Sequence, residues 1–190
     1  VPRWVLGAGG ASMDPEFAER IASDAAVQPE SEAAMPVPVT ETGLQTIHVK
    51  DQVWLITGAG ANIAVQVGDE GVLLVDTGTE AMAPAVRAEI RKLAGDKPIR
   101  YIVNTQWHED HTGGNVQLSD EGQRAAILAH DNVGLRLSSA AAEASTRELE
   151  TYYGANTMIY FNGEVIEDHK VANPPPNGDQ WAYFIAPRAR

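Results

Sequence analysis

The sequence predicts an α/β fold, on three observations. Four short β-like stretches follow one another between residues 43 and 75, an amphipathic helix then leads into a further apolar strand, and a ligand-rich loop opens at that strand's end. Strand, helix, strand in this order implies a right-handed crossover between parallel neighbours. In such sheets the chemistry gathers at the carboxyl ends of the strands.

The elements can be justified in turn. Residues 1–42 stand apart: Ala, Glu, Ser and Pro dominate from Ala11 to Thr42, with one short helix expected around Asp14 to Ala25. Such a composition buries too little apolar surface to offset chain entropy, so it reads as a flexible, solvated arm ahead of a domain spanning 43–190. Val1 to Ala8 could be the remnant of a leader. Leu44–Val49 and Gln52–Thr57 then read as paired strands around Lys50-Asp51, followed by Asn62–Val67 and, after Gly68-Asp69-Glu70-Gly71, by Val72–Val75. His48 is a polar strand residue in this scheme. Asp76-Thr77-Gly78 ends the last strand as a turn.

Met82, Val86, Ile90 and Leu93 fall on one face of the next segment, which Gly95 and Pro98 terminate. That stripe is a core-facing helix surface. Ile99–Val103 returns as a buried strand, and directly after it comes Asn104-Thr105-Gln106-Trp107-His108-Glu109-Asp110-His111-Thr112-Gly113-Gly114-Asn115. Alternation along an extended chain points Gln106 and His108 to one locus, while Asp110 and His111 reach a second past the bend. Gly113-Gly114 lets the backbone turn tightly. Imidazole and carboxylate donors suit zinc, and to a lesser degree iron or manganese, so the loop reads as a site for one or two such ions.

Ala125–Ala129 is another buried strand. His130-Asp131-Asn132 closes it, with Asp131 or Asn132 as the cap of a helix through Leu137 and on to Tyr152. Met158–Phe161 and Val165-Ile166 flank Asn162-Gly163, the strongest hairpin signal in the chain. Trp181–Phe184 ends the pattern as a strand. His130 is read as a structural residue at a strand end and His169 as a surface or core residue.

Composition narrows the partners. A 190-residue chain suits one domain with a real core, and its formal charge of −12 argues against nucleic acid or an anionic membrane surface. No run is long and apolar enough to span a bilayer. Cysteine is absent, so thiolate ligands and disulfides are excluded. A small-molecule substrate is compatible with these limits.

The segment from Asn104 to Asn115, taken with Leu73-Leu74-Val75-Asp76-Thr77-Gly78, resembles the metallo-β-lactamase superfamily, whose signature is His-x-His-x-Asp-His after a strand. His108, Asp110 and His111 match its ligand positions, and Gln106 stands at the first, where an amide oxygen is a weaker zinc ligand than imidazole. Asp76 matches the family's acidic residue at an earlier strand end, which implies that it lies under the loop and orients it. The likeness runs from about Gly43 to about Phe184. It implies an αββα sandwich of which this chain holds the first half and the start of the second. Where the family carries a further histidine turn, this sequence has Pro174-Pro175-Pro176 ahead of Asn177-Gly178-Asp179. One sheet face is then left exposed or covered by a partner, a homo-oligomer being one arrangement.

The activity implied is metal-dependent hydrolysis of an amide, lactam or thioester carbonyl, with Asp110 orienting the attacking water and taking up a proton. The alternative is a truncated or degenerate relative that folds, alone or as an oligomer, and binds metal weakly without turnover. Trp107 would be a wall of the site. Members with such arms are often exported, so the resemblance implies a periplasmic or secreted location, with the cytoplasm as the alternative.

Overall fold

The structure, a computed structural model, describes residues 4–7, 43–119, 124–139, 149–170 and 180–185. The short helix expected at Asp14 to Ala25 and the Pro174–Asp179 stretch lie outside these residues. Eleven strands are described: β1 (Trp4–Gly7), β2 (Gln45–Lys50), β3 (Val53–Ala59), β4 (Ala61–Gly68), β5 (Gly71–Val75), β6 (Ile99–Asn104), β7 (Ala126–His130), β8 (Leu149–Tyr152), β9 (Asn156–Phe161), β10 (Glu164–Lys170) and β11 (Gln180–Ile185). The helices are α1 (Ala83–Ala94), the single turns α2 (Glu109–Thr112) and α3 (Asn115–Ser119), and α4 (Asp131–Ser139).

A seven-stranded sheet runs in the order β2-β3-β4-β5-β6-β7-β8, antiparallel as far as β5 and parallel from β5 onward. A four-stranded sheet, β1-β11-β10-β9, is antiparallel throughout. The central strand β5, Gly-Val-Leu-Leu-Val, is buried along its whole length, which is why it reads as a continuous apolar run. Its Leu74 and Val72 face α1, packing with Ile56, Ile63 and Val65 around Val86 and Ile90. Leu73 and Val75 face the small sheet and meet Ile159, Phe161, Ile166 and Phe184. The layers are therefore helix, sheet, sheet. Alternation sends Met158 and Tyr160 to the outer face of the small sheet, where both are exposed.

Three expectations change. Trp4–Gly7, assigned to an arm, is a strand on β11, with Trp4 opposite Phe184 and Gly7 opposite Trp181. The helix after His130 does not continue to Tyr152. Leu149–Tyr152 is a strand parallel to β7, because Leu149, Thr151 and Tyr152 gain a sheet edge that no local helix propensity outweighs. The helix is capped by His130 rather than by Asp131 or Asn132: the His130 Nδ1 accepts the Asn132 N–H at 3.1 Å. The hairpin forms as expected, with both Asn162 (φ 52°) and Gly163 (φ 75°) in the left-handed region that a two-residue turn requires.

Candidate metal centre

Asp76, the residue after β5, has φ 62°, and this left-handed step swings its side chain across to the end of β6. Its Oδ1 accepts the Thr105 N–H at 2.8 Å. Its Oδ2 accepts the Thr105 hydroxyl and the His111 Nδ1–H, each at 2.6 Å. The carboxylate is buried, so these bonds lie in a low dielectric where they are strong. With Nδ1 committed as a donor, His111 presents the lone pair of Nε2 outward.

The loop is held from below by other buried polar groups. The Thr77 N–H donates to the His111 carbonyl at 2.8 Å, and its hydroxyl lies 3.0 Å from both that carbonyl and the Asn115 side-chain oxygen. Asn104 and Asn115 exchange amide hydrogen bonds at 2.8 and 3.2 Å, closing the loop at its two ends. The Gly113-Gly114 pair does not act through a left-handed backbone. Gly113 is helical (φ −61°), and both glycines serve close packing: a Cβ on Gly114 would stand 2.6 Å from the Thr77 carbonyl.

The two loci expected from alternation merge into one cluster. The Gln106 amide lies between two imidazoles, its Nε2 donating to His111 Nε2 at 2.5 Å and its Oε1 accepting from His108 Nδ1. Asp110 Oδ2 is 3.7 Å from His111 Nε2, and its side chain is about half exposed. Gly60 (φ 104°), in the β3-β4 turn, leaves room for the Asp110 side chain, since a Cβ there would come within 3.2 Å of the Asp110 Cβ. Among the described residues no three His, Cys, Asp or Glu side chains form a ready metal-binding group; the third donor beside the two imidazoles is Gln106. Its contacts nevertheless set Gln106 between His108 and His111, and the Asp76–His111 pair is the arrangement that fixes the tautomer of a metal-ligating histidine. This donor set of nitrogen and oxygen fits zinc.

The remaining candidates separate cleanly. Trp107 flanks the cluster from the α4 side: its ring packs with Ala129, Val133 and Leu137, with the Arg136 guanidinium 5.4 Å from the ring centroid and the His108 ring 4.4 Å away. Burial, and then the Lys170 charge, lower the pKa of His130, which is packed edge-on against Tyr152 and stays outside the cluster. His169 lies on β10 beside Glu167, 2.9 Å away. His48 donates to the Asp51 carbonyl at 3.0 Å. Thr77, Asn104, Thr105 and Asn115 were not singled out as supports in the sequence; the Asn at each end of the loop was the one available signal.

A mixed two-sheet sandwich with helices on the large sheet and a His/Asp loop at a strand's carboxyl end defines a metallo-hydrolase type of fold. The family model of the metallo-β-lactamase superfamily matches residues 56–178, and the chain belongs to that superfamily. Among solved structures it is similar to a metallo-β-lactamase with a HARLDQ motif from Cronobacter sakazakii, at 20% identity and a TM-score of 0.63, covering 74% of this chain and 58% of that one. A B3 metallo-β-lactamase described as the first with an active-site glutamic acid matches at 22% identity and TM-score 0.62, over 76% and 59% of the two chains. The sec-alkyl sulfatase PisA1 matches at 18% identity and TM-score 0.62, over 75% of this chain and 30% of the sulfatase. The chain thus spans about 60% of the length of the lactamases it matches. No curated protein matches it.

Proposed function

We propose that this chain is a metal-dependent hydrolase in which Gln106, His108, Asp110 and His111 hold zinc, with iron or manganese as alternatives and a carbonyl of an amide, lactam or thioester as the target. The observation that carries this reading is the convergence of Gln106, His108 and His111 with His111 Nδ1 fixed by Asp76. A zinc ion bound there supplies Lewis acidity and lowers the pKa of its water toward neutrality. The chain's own residues do the rest. Asp76 keeps the His111 Nε2 lone pair directed into the cluster, and Gln106 offers its Oε1 once the amide releases His108. Asp110, half exposed beside His111 Nε2, is placed to accept a proton at Oδ2 from a water attacking from the solvent side.

A second reading is favoured by the Gln106 amide itself. By bonding both imidazoles it satisfies them without a cation, as expected of a relative that folds but holds metal weakly. The HARLDQ motif of the Cronobacter lactamase likewise keeps only part of His-x-His-x-Asp-His, so a departure in the motif does not by itself decide between the readings. Zinc-loaded protein assayed against a chromogenic cephalosporin, a thioester and, because a sulfatase shares the fold, a secondary alkyl sulfate separates them. Turnover abolished by His108→Ala supports the hydrolase, whereas no turnover with any of the three metals leaves the second reading.

A further inference from the structure

Beneath the loop lies a second buried polar cluster that the proposed chemistry does not use. Asp168, on β10, points into the space between the sheets and is fully buried, in a row with the apolar Ile166 and opposite Ala182. The Tyr152 hydroxyl, from β8 of the large sheet, donates to its Oδ2 at 3.0 Å. With its side-chain amide oriented so that oxygen and nitrogen both find partners, Gln180 donates to the same oxygen at 2.5 Å and to Oδ1 at 3.3 Å, while its carbonyl accepts the His130 N–H at 3.0 Å. Gln180 is also fully buried, and its backbone N–H donates to the Thr105 carbonyl at 3.0 Å. Thr105 is therefore gripped on two sides: Asp76 takes its N–H and hydroxyl, and Gln180 takes its carbonyl. The next residue is Gln106.

We propose that Asp168 is a positioning residue for the metal loop, acting through Gln180 and Thr105 to fix from the small sheet where Gln106 stands. The inference rests on the reading of that loop as a metal site. A buried carboxyl is costly, and an apolar side chain would suit the row that Asp168 occupies. An apolar residue would, however, leave the Tyr152 hydroxyl and the Gln180 amide unpaired in a dry interior, freeing the start of β11 to shift away from Thr105. Supporting groups of this kind typically change metal affinity by about 10- to 100-fold when removed.

The test uses Asp168→Ala, Asp168→Asn and Tyr152→Phe in the full chain, with zinc affinity measured by competition against a chromophoric chelator and amide exchange followed across residues 105–111 and, as a control, across β3 and β4. Asp168→Ala is expected to weaken zinc binding by about tenfold or more and to speed exchange in the loop but not in the control strands. Asp168→Asn, which keeps a neutral polar partner for Tyr152 and Gln180, is expected to restore both. Should Asp168→Ala fail to fold, Tyr152→Phe is read in the same way, with a smaller change in the same direction. Unchanged affinity and unchanged loop exchange in a variant that merely melts earlier would overturn the proposal. A parent protein that takes up no zinc would instead remove the metal reading, and loop exchange alone would then decide whether Asp168 positions Thr105 and Gln106.

Discussion

Asp76 carries the geometry of the candidate site although it is not one of its ligands. One buried carboxylate joins the end of β5 to Thr105 and to His111, so Asp76→Ala removes three hydrogen bonds at once, from the Thr105 N–H, the Thr105 hydroxyl and the His111 Nδ1–H. The expected loss is about 3 kcal/mol, read from urea unfolding without metal. Asp168 gives a prediction of different kind. Burial, with a contribution from the Asp76 charge, pushes its carboxyl up to about 8, against the opposing Tyr152 hydrogen bond. The folded protein therefore keeps a proton that the unfolded chain has already released above its ordinary value near 4, and stability falls as pH rises from about 4 to about 8, levelling beyond. Melting curves across that range should show the decline in the parent and a flatter profile in Asp168→Asn; parallel profiles would contradict the assignment. At this scale the sequence was legible where chemistry is local. His108, Asp110, His111 and Asp76 announce themselves by type and spacing, whereas Asp168, Tyr152 and Gln180 meet only because two sheets pack together, and no spacing along the chain records that.

Elements were legible where their pattern was internal. The strands from Gln45 to Val75, the helix stripe of Val86 and Ile90, and the Asn162-Gly163 turn all formed close to where periodicity placed them. The segment ending in Tyr152 takes its state from a distant edge, which no local pattern records: β8 exists through pairing with β7, from Ile127 opposite Leu149 to His130 opposite Tyr152. Trp4–Gly7 is the same case, gaining its partner β11 from the far end of the sequence. Helix α4 packs on β8. Gly134 lies so close to β8 that a Cβ would come within 2.4 Å of Thr151 Cγ2. Gly134→Ala should therefore destabilise by about 1–3 kcal/mol, and pairing it with Thr151→Ser, which removes that methyl, should recover part of the loss. Strictly additive effects in the double-mutant cycle would show that α4 and β8 are not in contact there.

At the scale of the whole molecule, two cores share one sheet, and the loop is built where the central parallel strands end, as open α/β sheets favour. Met158 and Tyr160 are exposed on the outer face of the small sheet. Metal binding to the folded state alone would raise stability by about 2.7 kcal/mol at a free zinc concentration one hundred times Kd. Zinc should accordingly raise the melting temperature of the parent and leave that of His111→Ala where it was. The most direct test is the metal content of the purified chain, measured by elemental mass spectrometry on the parent, Gln106→His and His111→Ala after loading and desalting. The account predicts about one ion per chain in the parent, retained or increased in Gln106→His and lost in His111→Ala, the pattern of a tetrahedral site with one weak donor. A parent that holds no metal after loading, with Gln106→His no better, would contradict it and leave the loop as a folded polar corner of the sandwich.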